Sequence, residues 1–505
     1  MVYVHYLMGN RLILSARLIK IQFLKIAGDF HTFALQTRYT SKFIPTGMAR
    51  LRNQKLFDQL RKQNPVFTYT GYGITIDEGN LMLEFSFNIN DKFFFRPRSV
   101  IRTGLLIGDL AGKIEKIRPL VSNLAFQIGM IELISYWKAS CSPELRILPA
   151  NLTPEQVIWW KKLYFHGLGE FFYLNSIEPD FESFVDIRPA GATFFEAVTV
   201  DLEDKFLVPI GGGKDSAVTL TLLMNQGESI LPLIMNPRGA TIETIKAAGL
   251  EMNQVIVIER TIDPLLITMN NMEFLNGHTP FSAMLAFYSL MCSAITGYGN
   301  IALSNESSAN ESTIPGTMIN HQYSKSVGFE RDFREYYKAG ISDDFNYFSF
   351  LRPLSELQIA KIFSSLKVYH DVFRSCNAGS KTDSWCGKCP KCLFTHIMLS
   401  AFLGIREADR IIGRPMLDDA ELQQTFNELA GYSEIKPFEC VGTTLEVKQA
   451  LRMIARRMND EPLPFLLRAF IQKGDEIYDE PDFQVMEEPH FVREKLVEIL
   501  KLHLR

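Results

Sequence analysis

A run of three glycines, Gly211-Gly212-Gly213, constrains this chain most, because it separates an apolar segment from a helical one. The apolar segment Phe206 to Ile210 has the composition of a buried strand, and residues Ala217 to Asn225 have helical spacing. Apolar runs and helical segments continue to alternate, at 230–235, 241–248 and 255–259. Strands spaced by helices of this length predict an α/β fold with a doubly wound parallel sheet and helices on both faces.

The segment Gly211-Gly212-Gly213-Lys214-Asp215-Ser216, called here the glycine loop, is a candidate phosphate site. Glycines let a backbone approach a polyphosphate closely, and the N–H groups at a helix start attract anions. The Ser216 hydroxyl can donate a further hydrogen bond. The loop is not a Walker A motif, because Val208 stands where that motif has its first glycine and Asp215 where it has Ser or Thr.

Length and composition indicate a folded protein of several domains. The chain has 505 residues, 47% hydrophobic and 22% charged, which excludes the disordered and fibrous classes. A net charge of -4 gives no reason to expect a nucleic-acid or membrane partner. The most apolar stretch, 281–297, contains serines and is predicted to be a buried helix. We therefore expect a cytoplasmic protein, and the sequence sets no oligomeric state.

Three folded regions are expected. Residues 48–200 predict an N-terminal α+β domain, with strands at 66–95 joined by tight turns at Gly71-Tyr72-Gly73 and Asp77-Glu78-Gly79-Asn80. Residues 201–400 predict an α/β domain that contains the glycine loop and a cluster of cysteines, and 401–505 a helical C-terminal region. Residues 1–47 are basic and predict a poorly ordered extension ahead of Met48, with a transit peptide as the alternative.

Four cysteines lie close together with the spacing Cys-x9-Cys-x2-Cys-x2-Cys: Cys376, Cys386, Cys389 and Cys392. Thiolates at such spacing can close a tetrahedral shell, so a structural Zn2+ is predicted. A redox pair or an iron–sulfur cluster is the alternative. The scattered Cys141, Cys292 and Cys440 are expected to be reduced core thiols.

Two polar runs follow the predicted strand 300–303. The first extends from Ser304 to Glu311, and the second is Asn320-His321-Gln322-Tyr323-Ser324-Lys325-Ser326. Ligands of a parallel sheet bind beyond the carboxyl ends of its strands, so these runs are the candidate substrate site. Isolated histidines such as His278 are expected to be structural.

The glycine loop resembles the Ser-Gly-Gly-x-Asp-Ser loop of the ATP pyrophosphatase (PP-loop) superfamily, with Gly211 in place of the first serine. The resemblance implies that the loop binds the pyrophosphate end of ATP. It also implies a reaction that releases pyrophosphate and transfers AMP to a carbonyl or carboxylate oxygen. Mg2+ is expected to bridge the ATP phosphates, with Asp215 a candidate participant.

Taken together, several motifs resemble the MurL epimerases from about residue 66 onward. That family inverts the terminal L-glutamate of UDP-N-acetylmuramoyl-L-alanyl-L-glutamate, so this UDP-linked muramoyl dipeptide is the implied substrate and peptidoglycan precursor synthesis the implied process. The implied mechanism forms an acyl-adenylate, whose neutral carbonyl allows the α-proton to leave. The motifs are the glycine loop, Asn236-Pro237-Arg238, Asn305-Glu306, Asn320 to Ser326, Trp385 to Cys392 and Lys436-Pro437-Phe438-Glu439-Cys440-Val441-Gly442-Thr443.

The MurL resemblance also implies residue roles. His321 is the first candidate base, because imidazole titrates near neutrality. Glu306, Glu311, Tyr323 and Lys325 are candidates for the opposite face of the substrate or for binding it. Lys214 and Arg238 are expected to meet phosphate or carboxylate groups, together with the rest of the glycine loop: Gly211, Gly212, Gly213, Asp215 and Ser216.

Two other functions fit part of the sequence. One is a different adenylating PP-loop enzyme, such as a 7-deazaguanine nitrile synthase-like ligase, whose family also pairs the loop with four cysteines. It leaves the long region before residue 200 and the polar run at Asn320 to Ser326 unexplained. The other is a non-catalytic nucleotide-binding protein, for which Gly211 in place of serine would be the first sign.

Overall fold

The computed structural model describes residues 47–104, 106–314, 316–458, 462–474 and 481–504. The chain separates into two compact units, Met1–Arg50 and Leu51–Arg505, and the fold below is that of the second. The extension predicted for residues 1–47 lies outside the described residues, apart from its last position.

Eleven strands of the described residues form one sheet, in the order β11-β10-β7-β8-β9-β4-β2-β1-β5-β6, with β3 paired to β2. Six of its strand pairs are parallel and four are antiparallel. The strands are β1 Val66–Asp77, β2 Asn80–Ile89, β3 Phe93–Phe95, β4 Arg98–Arg102, β5 Glu144–Ile147, β6 Asp186–Pro189, β7 Glu203–Pro209, β8 Ile230–Met235, β9 Ile256–Thr261, β10 Tyr298–Leu303 and β11 Asn346–Ser349.

The helices lie on both faces of the sheet, and the described elements after Ser349 are all helical. The first seven are α1 Gly47–Gln63, α2 Leu110–Lys116, α3 Arg118–Trp137, α4 Pro154–Gly167, α5 Gly169–Leu174, α6 Lys214–Asn225 and α7 Gly239–Ala247. The others are α8 Pro264–Met269, α9 Phe281–Thr296, α10 Val327–Gly340, α11 Glu356–Ser365, α12 Pro390–Leu403, α13 Ile405–Ile412, α14 Gln423–Leu429, α15 Thr444–Met458, α16 Phe465–Gln472 and α17 Glu494–Leu502.

The predicted parallel sheet is confirmed in its central part. Strands β7, β8 and β9 pair in parallel in chain order, and β10 pairs in parallel with the other edge of β7 and with β11. Neighbouring residues of one strand enter different cores: Leu207 joins the core that contains α3 and α9, and Phe206 joins the core that contains α11 and α12. Both faces of these strands are therefore buried, which explains their continuous apolar runs.

The N-terminal strands differ from the sequence prediction at one turn. The predicted turn at Gly71-Tyr72-Gly73 is wrong, because β1 runs through it and its pairing with β2 shifts register between Tyr69 and Gly71. Glycine inside a strand often marks such a bulge. The second predicted turn is correct: Glu78 and Gly79 have positive φ between β1 and β2.

The sheet continues across the predicted domain boundary near residue 200, because β4 pairs antiparallel with β9. Helix α3 packs on α9 below this junction. A buried ion pair crosses it, with Arg260 of β9 donating to both carboxylate oxygens of Glu132 of α3 at 2.7 Å. Residues from both sides of the boundary therefore share one sheet and one core.

Helix α9 corresponds to the apolar stretch predicted to be a buried helix, and twelve of its residues are buried. Within the described ranges no single helix is long and apolar enough to cross a membrane. Helices α2 and α3, bent by 92° at the break between them, reach that length and apolarity only when they are counted together. The C-terminal region is helical as predicted and ends in α17, which buries Leu496, Ile499 and Leu500.

Candidate functional site

The glycine loop connects β7 to α6, at the edge of the sheet where the parallel strands end. Gly212 has φ of +80°, and a Cβ built there would lie 3.0 Å from the backbone of Ala240 and Thr241. Only glycine fits this position, because any side chain would meet the first turn of α7. The loop is thus held against a second helix start, and the first N–H groups of α6 lack intrahelical partners.

Lys214 is buried, at 3% side-chain exposure, and its ammonium group bonds the carboxylates of Asp215 and Glu356. Burial alone would lower the pKa of Lys214, but the two carboxylates outweigh burial and raise it. Burial together with the Asp215 charge raises the pKa of Glu356 to about 8, despite the opposing Lys214. The lysine of the loop is therefore a fixed charge within the site and not a solvated surface cation.

Arg238 is exposed at the start of α7, and one of its Nη atoms lies 3.5 Å from the carbonyl oxygen of Gly211. The same helix start is capped from elsewhere in the chain. Asp383 accepts hydrogen bonds from the backbone N–H groups of Gly239 at 2.9 Å and Ala240 at 3.0 Å. The cap and the guanidinium group therefore stand at the same edge of the loop.

The four clustered cysteines come together as predicted. Their sulfur atoms all lie within 4.8 Å of one another, with Cys376–Cys389 at 3.7 Å, Cys386–Cys392 at 3.8 Å and Cys389–Cys392 at 3.5 Å. A tetrahedral zinc site with Zn–S bonds of about 2.3 Å requires sulfur separations of roughly 3.8 Å. The donor set fits one zinc ion, and backbone N–H groups already point at Cys376 and Cys386.

The residues around the four cysteines, 374–392, are called here the cysteine segment. This segment contacts the glycine loop directly. The backbone N–H of Arg374 donates to the carbonyl of Gly212 at 2.8 Å. A Cβ at Gly213 would lie 3.0 Å from the Ser375 hydroxyl oxygen. Asp383, which caps α7, lies between Cys376 and Cys386. The conformation of the cysteine segment therefore affects both the glycine loop itself and the start of α7 that packs against it.

A buried arginine joins the two polar runs. Arg352, at 1% side-chain exposure, donates hydrogen bonds to the backbone carbonyls of Glu306 and Lys325. Beside it, Asn305 donates to the Ser349 hydroxyl at 3.0 Å, and Glu306 is buried. The expected convergence of the two runs thus occurs where β10 and β11 end.

His321 lies in a cluster with Glu170 and His278. Its Nδ1 is 2.5 Å from a Glu170 carboxylate oxygen, and the His278 Nδ1 is 3.3 Å from the same oxygen. Two ligands of one zinc ion would be roughly 3 Å or more apart, so the shorter contact favours a hydrogen bond over a shared metal. His278, expected to be structural, therefore belongs to the environment of the candidate base.

Cys440 is the second group that contacts His321. Burial alone would lower the pKa of His321, but Cys440 and Glu170 outweigh it and raise the pKa to about 10. Burial alone would raise the pKa of Cys440, but Lys325 and His321 lower it to about 6. The Lys325 Nζ lies 3.3 Å from the Cys440 sulfur. At neutral pH the group is thus a thiolate between two cations.

The expectation that Cys440 is a core thiol is wrong. Cys141 and Cys292 are fully buried as expected, whereas Cys440 is partly exposed. It lies in residues 436–443, called here the Cys440 loop, which connects α14 to α15. Lys391 of the cysteine segment bonds the Cys440 carbonyl oxygen. The thiol is therefore held between the polar runs and the cysteine segment.

Two other candidates have different surroundings. Glu311 pairs with Lys436 at the start of the Cys440 loop. The Tyr323 ring packs against His166, with ring centres 5.0 Å apart, and burial raises the pKa of its hydroxyl group. Glu311 thus lies at the rim of the site, while Tyr323 packs partly into the core.

A cleft of about 620 Å³ adjoins this arrangement, with Glu311, Arg352 and Glu446 among its lining residues. Glu446 accepts the backbone N–H of Glu356 at 2.6 Å and that of Thr443 at 2.7 Å. The cleft has the size of a small-molecule site. Thr443 of the Cys440 loop lines it, and Glu446 connects it to Glu356, the partner of Lys214.

Sequence reasoning missed Glu170, Arg352, Glu356 and Cys440. Glu356 had a local signal, because it follows Ser355 at a capping-box helix start. Arg352 follows β11, a strand whose end borders the site. Glu170 had none, since its partner is 151 residues away. Cys440 stood in a motif of the MurL resemblance, but its partner Lys325 is 115 residues away and its role had no local signal.

Comparison with known proteins agrees with the sequence resemblance. The MurL N-terminal domain matches residues 58–350, and the MurL C-terminal domain matches residues 372–481. The chain belongs to the MurL family. The first MurL match contains the glycine loop and both polar runs, and the second contains the four cysteines and the Cys440 loop.

Curated relatives carry the name UDP-N-acetyl-alpha-D-muramoyl-L-alanyl-L-glutamate epimerase. The protein of Salinispora tropica is 32% identical over 409 residues, which cover 79% of this chain and 87% of the relative. That of Xanthomonas oryzae pv. oryzae is 32% identical, covering 71% and 80%. That of a Micromonospora species is 34% identical, covering 64% and 73%.

Proposed function

We propose that this MurL family member is an ATP-dependent epimerase that inverts the terminal L-glutamate of UDP-N-acetylmuramoyl-L-alanyl-L-glutamate. The observation that carries the proposal is the family match, which spans both the glycine loop and the polar cluster around His321 and Cys440. The names of the relatives supply the substrate. Peptidoglycan precursor synthesis is the process proposed for it. The competing ligase and binding-protein functions have no comparable support.

The use of ATP follows from the chemistry of the substrate. The α-proton of a glutamate carboxylate is hard to remove, because the carbanion would form beside an existing negative charge. Transfer of AMP to the carboxylate gives an acyl-adenylate with a neutral, polarised carbonyl. A base then takes the α-proton, hydrogen-bond donors hold the enolate, and reprotonation on the other face inverts the centre. Hydrolysis releases the D-glutamate product and AMP.

The glycine loop is the proposed ATP site. Gly211 to Gly213 bring backbone N–H groups at the start of α6 to the phosphates, with Ser216 as a further donor. Arg238 is an exposed guanidinium beside the loop and is proposed to meet phosphate or carboxylate oxygens. The Lys214 ammonium group bonds Asp215 and Glu356 beside the loop and so holds both side chains in place there.

Asp215 is the proposed carboxylate for Mg2+. Its Oδ1 bonds Lys214, which leaves the second carboxylate oxygen for a cation. Mg2+ is usually bound by one or two carboxylates together with substrate phosphates, so this donor set fits. When bound, the ion supplies neutralisation of charge on the leaving pyrophosphate.

We propose that the α-carbon lies against the polar cluster that contains His321, Lys325 and Glu306, whose groups remove the α-proton or donate a proton to the enolate. Glu311 and Tyr323 are proposed to bind the substrate, Glu311 from the rim of the cleft. The four cysteines are proposed to hold a structural zinc ion that fixes the cysteine segment against the loop. These assignments place adenylation and inversion at the same edge of the sheet.

The test incubates the full chain with ATP, Mg2+ and the UDP-linked L-alanyl-L-glutamate in deuterated solvent. We expect AMP and pyrophosphate to form, and D-glutamate carrying deuterium at the α-carbon. Gly212→Ala serves as the deficient variant, because its Cβ would meet the α7 backbone. It should lose AMP formation and inversion together. Mass spectrometry of the UDP-linked product measures deuterium uptake, and chiral analysis of its glutamate residue measures inversion.

Three results would contradict the proposal. Inversion that proceeds without ATP would remove the role of adenylation. Release of AMP without deuterium uptake or inversion would indicate a ligase. No AMP release with this substrate would favour a non-catalytic binding protein.

A further inference from the structure

Cys440 differs in protonation state from the two candidate bases beside it, His321 and Lys325. His321 is held between the Glu170 carboxylate, 2.5 Å away, and the Cys440 thiol. Lys325 lies 3.3 Å from the same sulfur and, like His321, has a raised pKa. Both candidates are therefore protonated at neutral pH, and a protonated group cannot accept the α-proton.

The thiol has the opposite properties. Cys440 is not among the fully buried residues, its loop supplies Thr443 to the lining of the cleft, and the two cationic neighbours of its sulfur favour the thiolate form. The charged groups that face it are Lys325 and His321 from the second polar run, Lys391 from the cysteine segment and Glu439 from its own loop. Three of these four are cationic, which favours the anionic sulfur.

The Cys440 loop is also braced at both ends, which fixes the sulfur in space. At one end Lys436 donates to the Gly442 carbonyl at 3.0 Å and its backbone N–H bonds the Thr313 carbonyl at 3.2 Å. At the other end Glu446 accepts both the N–H and the hydroxyl of Thr443. Such bracing is what a group needs to meet a carbon-bound proton at a defined angle.

We propose that the Cys440 thiolate is a catalytic acid–base group that serves one face of the glutamate α-carbon, with His321 and Lys325 as the positioning residues that hold it ionised. The inference rests on the proposed epimerase function and adds a residue to it. It assigns Glu170 the role of keeping His321 oriented and protonated, in the manner of a carboxylate–imidazole–nucleophile series.

The step balances without a further reagent. The Cα–H bond breaks, the proton passes to sulfur to form the S–H bond, and the electron pair of the broken bond remains on the activated acyl group as its enolate. The enolate then takes a proton from solvent, through water or a second side chain, on the opposite face. In the reverse direction the Cys440 thiol donates its proton. No electrons are exchanged between protein and substrate.

The test separates adenylation from proton transfer in Cys440→Ala and Cys440→Ser. Adenylation is measured as substrate-dependent exchange of labelled pyrophosphate into ATP, and proton transfer as deuterium uptake at the glutamate α-carbon. We expect pyrophosphate exchange within about threefold of wild type and deuterium uptake reduced by about 10²-fold or more. Cys292→Ala, which removes a fully buried thiol on α9, should keep both within about threefold.

Each contrary outcome is distinct. A variant that exchanges the α-proton like wild type overturns the role of Cys440 alone. Loss of both partial reactions in a folded variant overturns it in favour of a role in binding or adenylation. A thioester between Cys440 and the substrate, seen by mass spectrometry, overturns it in favour of nucleophilic catalysis. A wild-type enzyme that never exchanges the α-proton overturns this role and the proposed function together.

Should neither variant fold, alkylation of Cys440 in the folded wild-type enzyme provides the same comparison. Modification that stops deuterium uptake while pyrophosphate exchange continues supports the proposal. Modified enzyme that still exchanges the α-proton overturns it.

Discussion

Cys440 and His321 form an ion pair whose pH range follows from their pKa values. The pKa of Cys440, lowered to about 6, gives stability that is full above its ordinary value of 9.0 and is lost as the pH falls through 6. The pKa of His321, raised to about 10, gives stability that is full below its ordinary 6.5 and is lost as the pH rises through 10. The pair is therefore ionised between about pH 6 and about pH 10.

Alkylation of Cys440 tests this range at the level of single residues. In the wild-type protein, the rate of modification by iodoacetamide should rise with a midpoint near pH 6. In His321→Gln the midpoint should move upward by about one to two units, because the thiolate loses a cation. Peptide mass spectrometry identifies the modified residue. Lys381→Gln, which removes an exposed lysine, should leave the midpoint unchanged; an equal shift there would contradict the pairing.

At the scale of elements, the cysteine segment acts on the glycine loop through helix α7. Asp383 caps α7 with two hydrogen bonds, and Arg374 bonds the Gly212 carbonyl. The sequence predicted the cluster of cysteines but not this contact. Asp383 is 144 and 143 positions away from the two residues that it caps, Gly239 and Ala240. A local sequence pattern cannot predict a contact over such a separation.

Loss of this cap should weaken both helix and loop. Asp383→Ala is expected to cost about 1 kcal/mol in the free energy of unfolding and to lower the affinity for ATP. Cys386→Ser should have a similar but larger effect, because loss of zinc releases the whole segment. Chemical denaturation, ATP titration and zinc content by atomic spectroscopy measure these changes. Normal ATP affinity in a zinc-free protein would contradict the coupling.

At the scale of the molecule, one sheet extends from the N-terminal strands to the strands beside the glycine loop. The pair Glu132–Arg260 lies where the two parts join, with side-chain exposures of 1% and 10%. On the adjacent residue of β9, Glu259 pairs with Arg102 at an exposed position. The two ion pairs differ mainly in burial, which makes them a matched comparison.

Substitution at the junction should destabilise the whole protein. Glu132→Gln leaves a buried charge without its partner, and we expect a loss of about 3 kcal/mol or more in the free energy of unfolding. Glu259→Gln should cost less than about 1 kcal/mol. Unfolding followed by intrinsic fluorescence and by circular dichroism should give one coincident transition in both variants. Separate transitions would indicate two independent folding units.

The strands β7 to β10 could be predicted from the sequence because their apolar runs are buried on both faces and are separated by helical segments. The turn at Gly71 could not, since a glycine that relieves a bulge has the same local pattern as one that makes a turn. The convergence of the polar runs was predictable from sheet geometry. The Glu170–His321–Cys440 series was not, because its members come from three separate parts of the chain.

The proposed role of the Cys440 thiolate also has a pharmacological consequence. A substrate mimic that carries a mild electrophile at the glutamate α-position would meet an ionised thiol at neutral pH. The other described thiols are either fully buried, as Cys141 and Cys292 are, or gathered in the four-cysteine cluster. An electrophilic substrate mimic is therefore expected to modify Cys440 selectively among the described cysteines.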